Sequence, residues 1–492
     1  MCGIVGYAGN IETACGKPLE VCLQGLERLE YRGYDSAGVA LTAPGMDKVV
    51  VRKKAGRLKN LVEDIERKPM PLATVGIGHT RWATNGEPSD VNAHPHTSMD
   101  GKVAIIHNGI IENASQLRFD LQAEGYRFAS ATDTEVAAKL LGKIVDKIIA
   151  DEGKPDLFKA VRRMARMLEG AFTILATDCR QPDIVVGARH DSPLVVGLGE
   201  GENFLGSDVA AFVAYTKRAM EVDQDQAVCV SADKVIVTDF DGNVVENPKT
   251  YTVDWDASAA EKGGWDSFMD KEIHEDPAAV QRTLLGRFDT NGGITLDEVR
   301  IDEHDFKAID KIIVVACGTA SYAGQVAKYA IEHWVRIPVE IELAHEFRYR
   351  DPILTPRTLV VAISQSGETM DTLMALRHAR EQGSKVLAIC NTQGASIPRE
   401  SDAVLYTHAG PEVAVASTKA FVAQITAAYL LGLYLAQVKG AMFRDEIHQV
   451  LDSLKDMPRK IQWVLDTQPK TIQAAAERMV NANSFLDRKS TR

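Results

Sequence analysis

From Lys311 onward the chain repeats one pattern: a short, uniformly apolar run, a turn of small polar residues, and a helix-length stretch. The strands are read at 312–316, 339–343, 358–363, 385–390 and 404–407. Helices are predicted from the turn after residue 316 through Val335, from Thr369 to Glu381, and over 417–438. Strands apolar on both faces and alternating with helices are the pattern of a parallel sheet covered on both sides. Ligands of such sheets sit at the carboxyl ends of the strands.

The third of these strands ends there in Ser364-Gln365-Ser366-Gly367-Glu368-Thr369. Hydroxyl donors, free N–H groups and the positive end of a helix dipole together suit an anion. One serine in this place would be an ordinary N-cap. Three hydroxyls with a glutamine and a glycine favour phosphate. The Gly-x4-Gly-Lys pattern of a Walker loop is absent. Lys419, in Ala416-Ser417-Thr418-Lys419, opens a later helix as either a supporting cation or a solvated side chain.

The first half is built differently. Up to residue 237 it reads as short strands with two helical stretches, 17–29 and 136–149, an α+β sandwich. It opens Met1-Cys2-Gly3-Ile4-Val5-Gly6. With the initiator methionine removed, Cys2 carries a nucleophilic thiol and an α-amine base of unperturbed pKa about 8. Gly3 would favour that processing and let the backbone approach a substrate closely. Three later segments supply what an amide-cleaving thiol needs. Arg81 follows an apolar strand and offers a planar fork for a carboxylate, with Thr84 adding a hydroxyl. The run Val103-Ala104-Ile105-Ile106-His107 ends in Asn108-Gly109, which reads as two oxyanion-hole donors or as a plain hairpin turn. Thr132-Asp133-Thr134-Glu135 opens a helix; one of Thr132 and Asp133 is expected to cap it, and a carboxylate there could hold a substrate ammonium.

Together these segments resemble the class II glutamine amidotransferases. The motifs are Met1 to Gly6, Glu30-Tyr31-Arg32-Gly33-Tyr34-Asp35-Ser36-Ala37-Gly38, 78–88, His94-Pro95-His96, 107–113 and 132–135. The resemblance implies an N-terminal nucleophile (Ntn) αββα sandwich, with two stacked antiparallel sheets between helices. It implies Cys2 as nucleophile, Asn108 and Gly109 as oxyanion hole, Arg81 and Thr84 on the glutamine carboxylate, and Asp133 on its α-amine. Trp82 would gate the ammonia. Asn85 stands where many relatives have histidine, and an asparagine can still hydrogen-bond substrate. The second half resembles the sugar isomerase (SIS) domain, a doubly wound phosphosugar-binding fold. The pairing of halves is similar to the hexose-phosphate aminotransferases. That implies L-glutamine and fructose 6-phosphate as substrates, glucosamine 6-phosphate as product, no cofactor, no metal, and a homodimer through the SIS domains. By the same resemblance Cys317, Gly318, Thr319, Ser364, Gln365, Ser366, Thr369, Val415 and Ser417 contact the sugar phosphate. Ala320 lacks a hydroxyl that many relatives have, leaving open whether Ser321 replaces it.

Composition narrows the alternatives. At 492 residues, 45% hydrophobic and 25% charged, the chain has room for about three globular domains. A net charge of −12 argues against a nucleic-acid partner and gives no hint of a membrane surface. No apolar run is expected to approach the roughly 20 residues that span a bilayer. No basic and apolar leader precedes Cys2, so a cytoplasmic enzyme is expected. The seven cysteines form no Cys-x-x-Cys pair, so neither disulfides nor a zinc site are indicated. His94 and His96 read as loop structure.

The expected domains are 2–240 (glutaminase), 241–302 (a connector with ordered helices), 303–443 (SIS) and 444–486 (a helical linker and the start of a second SIS domain at Asn483-Ser484-Phe485-Leu486). Residues 487–492, Asp-Arg-Lys-Ser-Thr-Arg, read as a non-native tail. The Lys, Glu and His that relatives use for ring opening and isomerisation have no counterparts in this reading. The chain as written is therefore expected to keep glutaminase activity and partial sugar binding. Two other classes stay open. A phosphoribosyl-pyrophosphate amidotransferase would need an acidic diphosphate-binding strand motif that the second half lacks. A non-enzymatic phosphosugar sensor would have no use for the glutaminase residues, and glutamine-dependent ammonia release separates it from the enzyme.

Overall fold

A computed structural model describes residues 2–10, 17–30, 33, 35–83, 86–253, 262–289, 292–296, 298–414 and 416–482. Two compact units are built on Met1–Gly264 and on Trp265–Gln393 with most of the chain that follows.

The first unit begins β1 (Gly3–Gly9), α1 (Lys17–Leu29), β2 (Ser36–Thr42), β3 (Val50–Ala55), α2 (Leu58–Arg67), β4 (Val75–Arg81), β5 (His96–Thr97) and β6 (Val103–Gly109). It continues α3 (Ala114–Ala123), α4 (Asp133–Glu152), α5 (Leu157–Ala165), β7 (Phe172–Asp178), β8 (Gln181–His190) and β9 (Val195–Leu198). It ends β10 (Glu202–Gly206), β11 (Arg218–Glu221), β12 (Gln226–Val230), β13 (Val235–Asp239) and β14 (Thr250–Thr252). One antiparallel sheet runs β14-β11-β9-β10-β1-β4-β2-β3 and a second runs β13-β12-β8-β7-β6-β5.

Side-chain alternation explains the layering. In β1, Ile4 and Ala8 join Val75 and Ile77 of β4 and Ala104 and Ile106 of β6 in a core between the sheets. Val5 and Tyr7 face the other way, against Leu26 of α1 and Leu61 of α2. Val103 and Ile105 of β6 pack on α4 and α5. The result is the four-layer αββα sandwich that the amidotransferase resemblance implies. Three helices that pattern reading passed over, α2, α3 and α5, are short, so their periodicity spans few turns. Gly3 also has a packing role. A Cβ there would lie 2.6 Å from Thr80 Oγ1 and 2.8 Å from Leu29 Cβ, so only glycine lets α1 and β4 close on the strand.

The second unit runs α6 (Phe268–Leu284), α7 (Glu303–Ala308), β15 (Lys311–Ala316), α8 (Thr319–Val335), β16 (Val339–Leu343), α9 (Ala344–Arg350), β17 (Thr358–Ser364) and α10 (Met370–Glu381). It continues β18 (Lys385–Cys390), α11 (Ser396–Glu400), β19 (Ala403–Tyr406), α12 (Lys419–Lys439), α13 (Arg444–Lys455), α14 (Met457–Thr467) and α15 (Pro469–Met479). The sheet order is β16-β15-β17-β18-β19, all parallel. Alternate residues of β15 and β17 enter two cores. Ile312, Val314 and Leu359 pack with α8 and α12, while Ile313, Val315 and Val360 pack with α9 and α10.

One expectation is corrected here. Helix α12, 21 residues long, is apolar enough to cross a membrane by length and composition. Its apolarity has a physical reason within this unit: Ala427, Leu430, Leu431 and Leu435 are buried in the core, and a helix covered on several sides is apolar nearly all round. The expected connector 241–302 is divided. β14 is the edge strand of the first unit's sheet, whereas Val280 and Leu284 of α6 lie in the core of the second.

Candidate functional site

Alternation also builds the first site. In β4 the odd residues Val75 and Ile77 face the space between the sheets, so His79 and Arg81 follow them. In β6 the even residues Ala104 and Ile106 face it, so Asn108 does too. β1 pairs with β4 through Gly3↔Thr80 and Ile4↔His79, which brings Cys2 to the end of the same seam.

At that end the Cys2 Sγ accepts a hydrogen bond from the Trp82 N–H at 3.1 Å and lies 3.5 Å from the Trp82 carbonyl oxygen. Burial pushes the Cys2 thiol up, and the Trp82 N–H pulls it partly back. Asn108 Nδ2 donates to the Cys2 carbonyl at 2.9 Å, leaving a second N–H on the same amide for a ligand. Its Oδ1 meets His79 Nε2 at 3.0 Å. Since the Asn108 oxygen can only accept, His79 carries its proton on Nε2. Burial lowers the His79 pKa to about 3, so the ring is neutral and its N–H fixes which way the Asn108 amide points. Gly109 has φ +119°, and a Cβ there would lie 2.0 Å from the Ala171 carbonyl oxygen, so no other residue fits.

The neighbouring turn is held from two sides. Asp35 N–H donates to the Arg81 carbonyl at 3.2 Å, and its carboxylate accepts from the Ala83 N–H at 2.6 Å. Arg81 is buried, with Nη2 donating to the Gly86 carbonyl at 3.0 Å. Thr84 and Asn85 lie outside the described residues. Trp82 is 45% exposed beside the thiol.

The cap question resolves onto Thr132, whose Oγ1 accepts from the Glu135 N–H. Asp133 is then released from capping. Its carboxylate accepts from Ile111 N–H at 3.0 Å and Thr134 N–H at 2.9 Å, which ties the start of α4 to the segment following Asn108-Gly109. His107 Nδ1 lies 3.1 Å from Thr134 Oγ1 and 4.0 Å from Asp133. The His94 ring lies tilted 4.3 Å from His79 and edge-on 5.2 Å from His96, and His96 Nε2 meets Thr132 Oγ1 at 3.0 Å. Burial lowers all four histidines. Pattern reading named His94 and His96 as loop and missed His79; its place two residues before Arg81 on one strand face was the available signal.

The second site lies where the order β16-β15-β17-β18-β19 reverses direction, between the ends of β15 and β17, the switch point at which such sheets hold ligands. Ser364 ends β17. Its Oγ accepts from Gly367 N–H at 3.0 Å and lies 3.2 Å from Thr369 Oγ1, while Ser366 Oγ accepts from Glu368 N–H. Thr369 precedes α10 without a side-chain capping bond. The Gln365 carbonyl accepts from Asn391 N–H at 3.3 Å. Cys317 and Gly318 precede Thr319, the first residue of α8, and Thr372 Oγ1 reaches Cys317 Sγ at 3.9 Å, linking the two loops. Burial raises the Cys317 thiol. Ser321 Oγ donates to the Gly318 carbonyl at 2.7 Å and is buried, so that hydroxyl serves the loop. Ala320 packs against the core.

Ser417 Oγ donates to Glu412, whose carboxylate also accepts from the Thr418 and Ala420 N–H groups. Val415 lies outside the described residues. Lys419 is not solvated. It is buried and ion-paired with Glu275 of α6.

A fold of stacked antiparallel sheets with the Cys2 thiol at the seam, joined to a doubly wound parallel sheet, defines a glutamine amidotransferase carrying a sugar-phosphate unit. Family models match accordingly: a glutamine amidotransferase domain over residues 79–214 and a SIS domain over 306–434. The glutamine–fructose-6-phosphate aminotransferase (isomerizing) of Corynebacterium diphtheriae is 60% identical over 488 residues, covering 99% of this chain and 77% of that protein. The Streptomyces coelicolor protein of the same name is 58% identical over 486 residues, with the same coverage of 99% and 77%. Among solved structures, the C-terminal domain of glucosamine-fructose-6-phosphate aminotransferase from Francisella tularensis is 37% identical, covering 45% of this chain and 61% of that one, with TM-score 0.43. The chain belongs to the glutamine–fructose-6-phosphate aminotransferase (isomerizing) family.

Proposed function

We propose that this enzyme hydrolyses glutamine at Cys2 and delivers the ammonia to fructose 6-phosphate, giving glucosamine 6-phosphate. The observation that carries the reading is the chain of contacts from the Cys2 thiol and carbonyl through Asn108 to the neutral His79. Once Met1 is removed, the α-amine takes the thiol proton. The sulfur attacks the glutamine carboxamide carbon, and the oxyanion is held by Asn108 Nδ2–H and the Gly109 N–H. As the intermediate collapses, the α-ammonium returns its proton to the leaving nitrogen, so ammonia departs and a thioester remains. The α-amine then takes a proton from water, whose oxygen attacks the thioester carbon, and passes it to the departing sulfur, releasing glutamate and regenerating the thiol. Arg81 with Thr84 receives the α-carboxylate and Asp133 the α-ammonium, and Trp82 covers the thiol while ammonia leaves.

In the SIS unit Ser364, Gln365, Ser366 and Thr369 cradle the phosphate, with the N–H groups opening α10 supplying further donors. Cys317, Gly318, Thr319, Val415 and Ser417 contact the sugar. We place the glutaminase domain at 2–240, with β14 added to its sheet, and the SIS domain at 303–443, with α6 packed on its core. The protein acts as a homodimer through its SIS unit, a reading supported by the exposed stripe Tyr322, Val326 and Tyr329 along α8. It acts in the cytoplasm, in keeping with six described cysteines that are all free thiols.

The test pairs two assays. Glutamate release from glutamine should fall below about a hundredth of its rate in Cys2→Ala, while fructose 6-phosphate binding stays unchanged. Glutaminase activity surviving above that level would remove Cys2 from the role. Fructose 6-phosphate binding indifferent to combined Ser364→Ala and Thr369→Val changes would remove the cradle.

A further inference from the structure

Three side chains that no sequence spacing connects meet at the carboxyl edge of the parallel sheet. Cys317 follows β15, His345 lies in the first turn of α9, and Asp371 lies in the first turn of α10. Their sulfur, one imidazole nitrogen and one carboxylate oxygen all lie within 4.8 Å of one another. Among the described residues this is the one group of three or more metal-capable side chains so gathered. Cys317 is half-buried and the other two are exposed, which gives a cation an open path in.

A tetrahedral zinc with ligand bonds of ~2.0–2.3 Å sets neighbouring donor atoms ~3.3–3.7 Å apart, a distance that small side-chain rotations reach from the observed spread. The sulfur is already oriented. It lies 3.9 Å from the Thr372 hydroxyl, which donates to it from the first turn of α10, a contact that turns it toward that helix. A histidine–aspartate ion pair alone would account for two of the three members. The oriented thiol makes the set a soft-and-borderline donor group of one sulfur, one nitrogen and one oxygen, the composition that selects zinc over magnesium or calcium.

We propose that Cys317, His345 and Asp371 bind one divalent cation of the zinc class, with the fourth position left to water or an anion. Binding forms a sulfur–metal bond and releases the thiol proton to solvent. Because Cys317 also belongs to the loop assigned above to fructose 6-phosphate, cation and sugar phosphate compete for it. That competition rests on the proposed function; the cation site does not.

The experiment uses the full chain carrying Cys2→Ala, which removes the competing thiol–amine chelate at the N-terminus. Zn2+ is titrated against a chromophoric chelator, and Co2+ binding is followed by absorption. One equivalent with a Kd below about 10 μM is expected, together with sulfur-to-cobalt charge-transfer absorption. His345→Ala and Asp371→Asn should each weaken binding about tenfold or more, with far-UV circular dichroism unchanged. Weaker binding than about 10 μM in the parent, or a loss below tenfold in both folded variants, overturns the site. Zinc affinity insensitive to saturating fructose 6-phosphate would instead count against the assignment of Cys317 to the sugar loop and leave the cation site standing.

Discussion

The seam at Cys2 and the loop at Ser364 hold their polar atoms by different means. In the seam Cys2, Arg81 and Asn108 project from strands or strand ends and take their direction from residue parity and register, while Asp133 opens α4. Buried neutral histidines lock it: His79 orients Asn108, and the tilted His94 ring lies against His79. At the second site Ser364 closes β17, Ser366 and Thr369 sit on the loop after it, and the hydroxyls satisfy one another and nearby N–H groups. A phosphate must exchange those partners. The strand-borne site is thus preorganised, at the expense of buried titratable groups, while the loop-borne site is adaptable and each of its contacts is worth less.

The largest consequence is a difference in acid sensitivity. His79, His94, His96 and His107 all have depressed pKa values, His79 to about 3, because burial disfavours their charged forms. A histidine near 6.5 when unfolded and lower when folded contributes stability above pH 6.5 that is lost as pH falls, because only the unfolded chain takes the proton. For His79 alone the loss is about 1.4 kcal/mol per pH unit between 6.5 and about 3. The second unit contains a group of opposite sign. Asp276 is raised to about 6 by burial, with Glu412 and Glu272 adding to the rise and Lys419 and His274 opposing it. Its folded form takes a proton before the unfolded one, so it favours the fold as pH falls through 6. Between pH 7 and 5 the first unit should lose resistance to urea more steeply than the second. Pulsed hydrogen exchange on peptides from Gly3–Gly9 and Thr358–Ser364 reads this directly, and equal losses would break the comparison.

Much of the second unit was legible because its central strands are continuous apolar runs and its edge strand β16 alternates apolar and acidic residues; β16 and β18 have the limits read from sequence. Helix α1 was equally plain, since its apolar residues recur on one face. Sheet order was not legible, because β1 finds β4 and β10 as neighbours through pairings far apart in the chain. At the thiol site the segments at 81, 108 and 133 were visible as motifs. Their support, His79 above all, was not, because a buried histidine looks like any polar residue until strand parity is known. The trio Cys317, His345 and Asp371 was hidden for the same reason, its members brought together only by the parallel order of β15, β16 and β17.

A smaller effect sharpens the contrast within the first unit. His79→Ala removes the group that orients Asn108 while leaving the thiol in place. Glutaminase kcat should fall about 10–100-fold with glutamine KM within about twofold, because the oxyanion acts only in the transition state. A rise in KM with kcat unchanged would mean that His79 serves binding. Smaller again is Ser364→Ala, which deletes one neutral hydroxyl at the end of β17, where the adaptable loop begins. It should weaken fructose 6-phosphate binding by roughly 3–10-fold, about 1 kcal/mol, and leave glutamine kinetics as they were. A loss of several hundredfold would show that the loop is as preorganised as the seam.

The central claim is that Cys2 is the attacking atom for glutamine, and covalent trapping tests it most directly. The enzyme is incubated with a glutamine-shaped diazoketone, with and without excess glutamine, and its peptides are weighed. The account predicts one adduct, on the sulfur of an N-terminal Cys2 with a free α-amine, suppressed by glutamine and absent in Cys2→Ala. An adduct on another cysteine, or glutamine-protected labelling that persists in Cys2→Ala, would contradict it.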